Sequence, residues 1–198
     1  MCGRFANTNT IEDLVVKFNI DIDSANDLYI SESYNISPTQ YSPVIFEYKM
    51  QRKIEKMHWG LIPSWSKDKK FSSNMINARL ESIKDKPSYK NLVNTNRCIV
   101  ISSGYYEWTQ SGEKKQPYYI YNDEKILPIA GLWTKWEDIL SFTIITRNAH
   151  KSLKSIPTDF IHYTVLLIFR RIYRSNYIKT TPRISAKVPF IKGSIYGF

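Results

Sequence analysis

The feature that most constrains the fold is a succession of short stretches rich in Ile, Val, Tyr and Trp. In chain order these stretches are YSPVIFEYKM, KIEKMHWGLI, RCIVISSGYYEW, QPYYIYN, ILPIAGLW and SFTIIT. β-Branched and aromatic residues favour strands, and TQSGEKK between two of the stretches is typical of a hairpin loop. Short strands in meander-like succession predict an α+β domain on a curved, barrel-like antiparallel β-sheet.

A few helices are expected to flank this sheet. TIEDLVVKF has apolar residues at helical spacing from Ile11 to Phe18, and Thr10 precedes it as an N-cap. A second helix is predicted from about Asn77 to Lys84, with Pro87 marking its end. At 198 residues the chain is long enough for one hydrophobic core, so we expect a single domain over residues 1–198.

The composition is that of a soluble globular protein, with 42% hydrophobic and 23% charged residues. The longest apolar run, Val165–Phe169, is too short to span a membrane. The first residues also lack the basic and apolar segments of a signal peptide. We therefore expect no membrane partner and a cytoplasmic location, nucleoid-associated in a bacterium or nuclear in a eukaryote.

The net charge of +10 favours a polyanionic partner such as nucleic acid. Its distribution weakens that interpretation, because seven of the positive charges lie in residues 160–198, a stretch without Asp or Glu. The first 159 residues carry about +3, an ordinary value for a solvated surface.

The chain has two cysteines, Cys2 and Cys98, and three histidines. This pattern indicates neither a disulfide framework nor a structural zinc site, and we expect no metal and no cofactor. Cys98, in RCIVIS, is predicted to be a buried apolar residue. Cys2 follows the initiator methionine, which is normally removed before small residues. Its α-amine and thiol would then both be partly nucleophilic at neutral pH. Taken alone, however, Cys2 is better explained as an arbitrary residue of a disordered terminus.

Three loop-like stretches concentrate residue types that carry chemistry. In WGLIPSW, Trp59 and Trp65 could stack on unpaired bases or belong to the core. In INARLES, Arg79 could bind phosphate behind an Asn77 cap, or the letters could describe an ordinary capped helix. In SSGYYEW, aromatic neighbours could raise the pKa of Glu107 for acid–base work. A strand-end Glu pointing to water is the simpler local interpretation.

Taken together, MCGRF, NISPTQ, WGLIPSW, INARLES, GYYEW and AGLW resemble, in this order and at these spacings, the SOS response-associated peptidase (SRAP) family. The resemblance covers roughly residues 1–146 and includes the terminal cysteine itself, which makes it more specific than any single motif.

The resemblance implies a protein that traps abasic sites in single-stranded DNA. The ring-opened sugar offers an aldehyde. The α-amine of Cys2 would condense with it to an imine, and the thiolate would close onto the same carbon to give a thiazolidine. Only an N-terminal cysteine can form this ring.

The resemblance also implies site residues. Asn77 matches an asparagine beside the trap, and Glu107 matches the acid–base glutamate. The DNA contacts carried over are phosphate-binding Arg4 and Arg79, base-holding Trp59, Trp65 and Trp108, and Pro38 lining the pocket.

The C-terminal part, about 156–183, departs from the family pattern. Family members have Ile-His, one variable residue and Arg-Met-Pro, whose histidine assists ring opening. Here FIHYTVLL supplies Ile161 and His162 without Arg-Met-Pro, and counting from TIIT puts Pro157 at the expected position. His162 is the candidate for the family histidine. The alternative is that His162 has only a structural role.

Two other functions stay open for this domain, which we expect to be a monomer. Cys2 could be the nucleophile of a thiol-dependent autopeptidase, with Glu107 as proton acceptor. The chain could also be a non-catalytic module that binds single strands by charge and stacking, independently of Cys2.

Overall fold

The computed structural model describes residues 2–20, 29–111, 114–121, 125–148, 163–165 and 183–184. The strands are β1 (Arg4–Asn7), β2 (Ser33–Ile36), β3 (Tyr41–Tyr48), β4 (Gln51–Trp59), β5 (Asn77–Arg79), β6 (Arg97–Ser102), β7 (Gly104–Ser111), β8 (Lys114–Tyr121), β9 (Leu127–Trp136), β10 (Ile139–Asn148), β11 (Tyr163–Val165) and β12 (Arg183–Ile184). The helices are α1 (Ile11–Phe18), α2 (Leu92–Thr95) and a 3-10 turn at Lys70–Asn74. Neither α-helix in these ranges is long and apolar enough to cross a membrane.

The strands form two sheets. The smaller has the order β12-β8-β7-β1-β2, and the larger runs β11-β10-β4-β3-β6-β9 with β5 beside β10. Because β10 also pairs with β9, the strands β4, β3, β6, β9 and β10 close into a ring. Within the described residues, only the pairings of β10 with β4 and β5 are parallel. The predicted α+β class with a barrel-like antiparallel sheet is confirmed.

All six predicted strand stretches contain strands, and RCIVISSGYYEW supplies both β6 and β7. The hairpin predicted at TQSGEKK is present, although pairing continues to Ser111 opposite Lys114. The four-residue strands β1 and β2 were not predicted. Their sequences, RFAN and SYNI, contain one β-branched residue between them, so they owe their conformation to pairing with each other and with β7.

The main core lies between the two sheets. It joins Phe5 of β1 and Tyr105 of β7 to Trp59 and Phe142 of the ring. Trp59 packs edge-on to Phe5 with ring centroids 5.0 Å apart, and it stacks parallel to Phe142 at 6.4 Å. Cys2, two residues before the start of β1, belongs to this cluster and is fully buried. The fold thus draws the amino terminus into its interior.

Helix α1 covers the outer face of the ring. The predicted cap is present, because Thr10 Oγ1 accepts a hydrogen bond from the backbone N–H of Asp13 at 3.2 Å. Leu14 and Phe18 are buried in a second cluster that includes Ile45 of β3. Strand β3 is therefore apolar on both faces, which explains its nearly continuous hydrophobic run.

The second predicted helix is wrong. Asn77–Arg79 forms β5, in parallel register with β10, and residues 80–90 form turns. Pairing with β10 supplies the backbone hydrogen bonds of this segment, and Ala78 is buried beneath it. Tertiary packing has overridden a weak helical propensity. Asn77 is consequently a strand residue and not a helix cap.

A glycine next to β4 is expected to be important for stability. Gly60 has a φ of +130°, and a Cβ there would collide with the backbone carbonyl of Ser72. We expect Gly60→Ala to lower the free energy of unfolding by about 3 kcal/mol, because backbone strain and overpacking each cost about 1–3 kcal/mol. The corresponding drop in Tm is roughly 6–12 °C.

Calorimetry checks this expectation by comparing the Gly60→Ala variant with a Gly3→Ala control. A Cβ at Gly3 meets nothing within 4 Å, so that control is expected to stay within about 0.5 kcal/mol of the wild type. Equal losses in the two variants would contradict the argument.

Candidate active site at the amino terminus

Cys2 is held at the edge of the core by its backbone. Its carbonyl oxygen accepts a hydrogen bond from Asn77 Nδ2 at 2.8 Å, across 75 residues of sequence. Its Sγ donates to the carbonyl oxygen of Arg4 at 3.7 Å. Since β1 begins at Arg4 and lies between β2 and β7, the position of the cysteine is fixed from both sides.

Asn77 is positioned by the pairing of β5 with β10. Its partner in the register is Ile144, whose backbone N–H also donates to the carbonyl of Ile76 at 3.0 Å. One end of the amide binds Cys2, and the other end, Oδ1, is buried without a hydrogen bond. That oxygen is an acceptor available to a group bound beside Cys2.

Glu107 approaches from β7. It lies on the same face of the strand as Tyr105, which belongs to the core, and is 7% exposed. Burial raises the pKa of Glu107 to about 7. A carboxyl group with this pKa can both accept and return a proton at neutral pH. The local interpretation of Glu107 as solvent-facing is therefore wrong.

The thiol of Cys2 is electrostatically coupled to this carboxyl group. Burial raises the pKa of the Cys2 thiol well above its usual range, and the negative charge of Glu107 adds to the increase. The resting thiol is accordingly neutral. A reaction here would start at the α-amine, and the thiol would add in a later step with its proton passing to an acceptor.

The structure thus brings together Cys2, Asn77 and Glu107, three of the four predicted catalytic residues. His162 and Pro157 lie outside the described residues, as does most of the divergent segment 156–183. Cys98 is buried in β6, as expected. In the described part of the chain, no three His, Cys, Asp or Glu side chains converge as a metal site.

The predicted DNA-contacting residues lie on several elements of the fold. Arg4, at the start of β1, is partly buried, and its Nη1 donates to Asn35 Oδ1 at 3.4 Å. Arg79 is exposed at the end of β5, only two residues beyond Asn77. Pro38 is partly exposed in the turn between β2 and β3. Both arginines therefore lie two residues from a predicted catalytic residue, Arg4 from Cys2 and Arg79 from Asn77.

The three tryptophans differ in accessibility. Trp65 is 66% exposed, and Trp108 in β7 is partly exposed. Trp59 is fully buried, and its Nε1 donates to the carbonyl of Ile76 at 3.0 Å. A stacking role for Trp59 does not fit this position, because no face of its ring is open to a base. It is a core residue, the alternative that the sequence had left open.

Sequence reasoning missed a group of tyrosines on β7 and β8. Tyr106, Tyr119 and Tyr121 lie on the face of the smaller sheet that carries Trp108. The alternation in GYYEW and PYYIY is the signal that could have found them, since residues two apart in a strand share a face.

Comparison with known proteins identifies relatives. Residues 1–164 match the family model described as SOS response associated peptidase (SRAP). The abasic site processing protein YoqW of Bacillus subtilis is 34% identical over 163 residues, covering 79% of this chain and 72% of YoqW. The abasic site processing protein HMCES of Xenopus tropicalis is 32% identical over 170 residues, covering 68% of this chain and 50% of HMCES. The chain therefore spans about half the length of that eukaryotic relative.

Two solved structures share the fold. A crystal structure of a protein from Bacteroides thetaiotaomicron superposes with a TM-score of 0.73 at 26% identity, covering 85% of this chain and 78% of that one. A phage-related protein from Bordetella bronchiseptica gives a TM-score of 0.58 at 30% identity, covering 74% and 69%.

Proposed function

Since this chain belongs to the SRAP family, we propose that it captures abasic sites in single-stranded DNA, as a monomer, through a covalent thiazolidine at Cys2. The observation that carries the proposal is the convergence of Cys2, Asn77 and Glu107 from three distant parts of the sequence. The relatives YoqW and HMCES are named abasic site processing proteins, which agrees with a role in the DNA damage response.

The first step forms the carbon–nitrogen bond. With Met1 removed, the α-amine of Cys2 attacks the aldehyde carbon of the ring-opened sugar, and Glu107 accepts the ammonium proton beforehand. Glu107 then returns a proton to the hydroxyl group of the carbinolamine, which leaves as water and gives an imine. A pKa of about 7 suits both transfers at neutral pH.

The second step closes the ring. The sulfur of Cys2 adds to the imine carbon, and the thiol proton ends on the nitrogen, so one carbon–sulfur bond forms and no further group leaves. The elevated pKa of the thiol means that it adds together with its proton, for which Glu107 is the adjacent carrier. The hydrogen bond from Asn77 to the Cys2 carbonyl fixes the residue while both bonds form.

The same residues would serve a thiol-dependent autopeptidase, with Cys2 as nucleophile and Glu107 as proton acceptor. That role requires thiolate attack without prior imine formation. Burial and the Glu107 charge both disfavour the thiolate, so we place the reaction with abasic DNA first.

The test uses protein whose intact mass shows that Met1 is absent. It is incubated with a single-stranded oligonucleotide carrying one abasic site, and in parallel with one carrying tetrahydrofuran, which has no aldehyde. A heat-stable shifted band on a denaturing gel is expected with the first oligonucleotide alone. A non-catalytic module would bind both without a band, and that result from folded protein would overturn the proposal.

A further inference from the structure

Four aromatic side chains form a row on the outer face of the smaller sheet. Trp108 and Tyr106 lie two residues apart on β7, with ring centroids separated by 6.3 Å. Tyr106 meets Tyr119 of β8 at 4.9 Å, and Tyr119 stacks on Tyr121 at 5.7 Å with only 15° between the planes. We call Trp108, Tyr106, Tyr119 and Tyr121 the aromatic row.

The strand register connects this row to the candidate active site. Arg4 is the partner of Tyr106 across the β1–β7 pair, and it follows Cys2 by two residues. Trp108 follows Glu107 in β7, so its side chain lies on the opposite face of the strand. On β8, Tyr121 is paired with Gly104, at the far end of β7 from Trp108. Because β1 and β7 are antiparallel, Trp108 lies toward the end of β7 that is nearer to Cys2, and the row leads away from that end across the sheet.

The row is fixed in place, and three of its four members are partly accessible. Tyr106, 7% exposed, is anchored by a hydrogen bond from its hydroxyl to the Tyr34 carbonyl at 2.9 Å. Tyr119 lies over Gly104, where a Cβ would come within 2.5 Å of its Cζ. Trp108, Tyr119 and Tyr121 each keep part of their surface exposed. The rings therefore need little further ordering to receive a ligand.

The chemistry of the row suits bases and phosphates together. Aromatic rings stack on unpaired bases irrespective of sequence, and the guanidinium of Arg4, the residue paired with Tyr106, is suited to phosphate. Burial, with the neighbouring tyrosines, raises the pKa of Tyr119, so its hydroxyl stays neutral and does not repel a phosphate backbone. A protein partner that offered only an apolar surface would not need a cation beside the row.

We propose that the aromatic row is a stacking track for the bases on one side of the abasic nucleotide. This inference rests on the proposed function, because it assumes that the abasic sugar is bound at Cys2 and that the DNA strand continues from there onto the row. The track would let the protein bind single-stranded DNA next to the lesion while the base-free sugar occupies the site. Affinity would then depend on the bases beside the lesion as well as on the lesion itself.

The experiment measures equilibrium binding of tetrahydrofuran oligonucleotides, which cannot react with Cys2. We expect Tyr121→Ala to weaken binding by about tenfold, the scale of one base–aromatic stack. Tyr121→Phe, which keeps the ring, is expected to bind as the wild type does. The matched control is Tyr48→Ala at the end of β3 in the other sheet, 46% exposed, and we expect it to change binding less than twofold. Circular dichroism melts confirm that each variant is folded.

The decisive comparison removes the bases as well as the ring. Two further oligonucleotides carry tetrahydrofuran in place of the three nucleotides on the 5′ or the 3′ side. For one of these two oligonucleotides, the affinity of the wild type should fall to the affinity that Tyr121→Ala has for the single-tetrahydrofuran oligonucleotide. The affinity of Tyr121→Ala should not fall further when the same bases are removed. If Tyr121→Ala has no effect, or an equal effect on all three oligonucleotides, the track is wrong.

These outcomes are separate from those of the covalent test. Base-dependent binding through Tyr121 in a protein that forms no heat-stable band would refute the thiazolidine and leave the track standing. A heat-stable band in a protein whose DNA affinity does not depend on Tyr121 would support the thiazolidine and refute the track.

Discussion

Replacing Cys2 with serine is expected to abolish the heat-stable band formed with an abasic oligonucleotide. Serine keeps the α-amine and nearly the same volume, so an imine can still form. The hydroxyl is a far weaker nucleophile than a thiol, and the open imine hydrolyses during heating. Denaturing gels run with and without borohydride reduction check this, because reduction is expected to rescue a band in Cys2→Ser by trapping the imine.

The matched control is Cys98→Ala, which removes the other thiol of the chain. Cys98 is 1% exposed in β6, so its loss is expected to lower the free energy of unfolding by about 1 kcal/mol and to leave the crosslink intact. A heat-stable band of wild-type yield in Cys2→Ser would refute the thiazolidine.

Glu107→Gln is expected to slow crosslinking by about 100-fold or more, the usual contribution of a general acid–base group. The wild-type rate should rise with pH as the carboxyl group loses its proton, with a midpoint near its pKa of about 7. The variant should lack that rise and keep the titration of the α-amine near ~8. Single-turnover rates between pH 5 and 9 check this, with exposed Glu55→Gln on β4 as the control.

Glu107 is also expected to make stability depend on pH. Burial raises its pKa from 4.5 to about 7, so between these values the folded protein holds a proton that the unfolded chain has released. Stability contributed by this group is therefore complete below about pH 4.5 and is lost as the pH rises through about 7, by up to about 3 kcal/mol. In urea unfolding, the free energy of unfolding of Glu107→Gln should increase relative to that of the wild type as the pH rises from 5 to 8. A constant difference across this range would contradict the raised pKa.

The fold could be predicted largely from the sequence, because long β-rich strands and a capped amphipathic helix carry their own signals. The exceptions are short elements. β1, β2 and β5 have three or four residues each, and their hydrogen bonds come from neighbours distant in sequence. The helix predicted from Asn77 failed for this reason, since pairing with β10 is invisible to local propensity.

The candidate site was predicted by resemblance more than by local chemistry. Residue type alone favoured a disordered Cys2 and a solvent-facing Glu107, and both are buried. Burial depends on how two sheets face each other, which no single motif encodes. Trp59 and Trp65 show the same limit, since two tryptophans of one motif lie at opposite extremes of exposure, 0% and 66%.

The burial of Cys2 affects how long its amine and thiol survive before they react. Chain ends usually fray, and an exposed aminothiol would be consumed by oxidants and by small aldehydes. Cys2 is instead sequestered in the core and held by Asn77, so its neutral thiol resists adventitious damage. The half-life of the unreacted protein is then governed by how often this end of the sheet opens. Under the proposed mechanism Cys2 reacts only once, and its burial would keep it intact until it meets DNA.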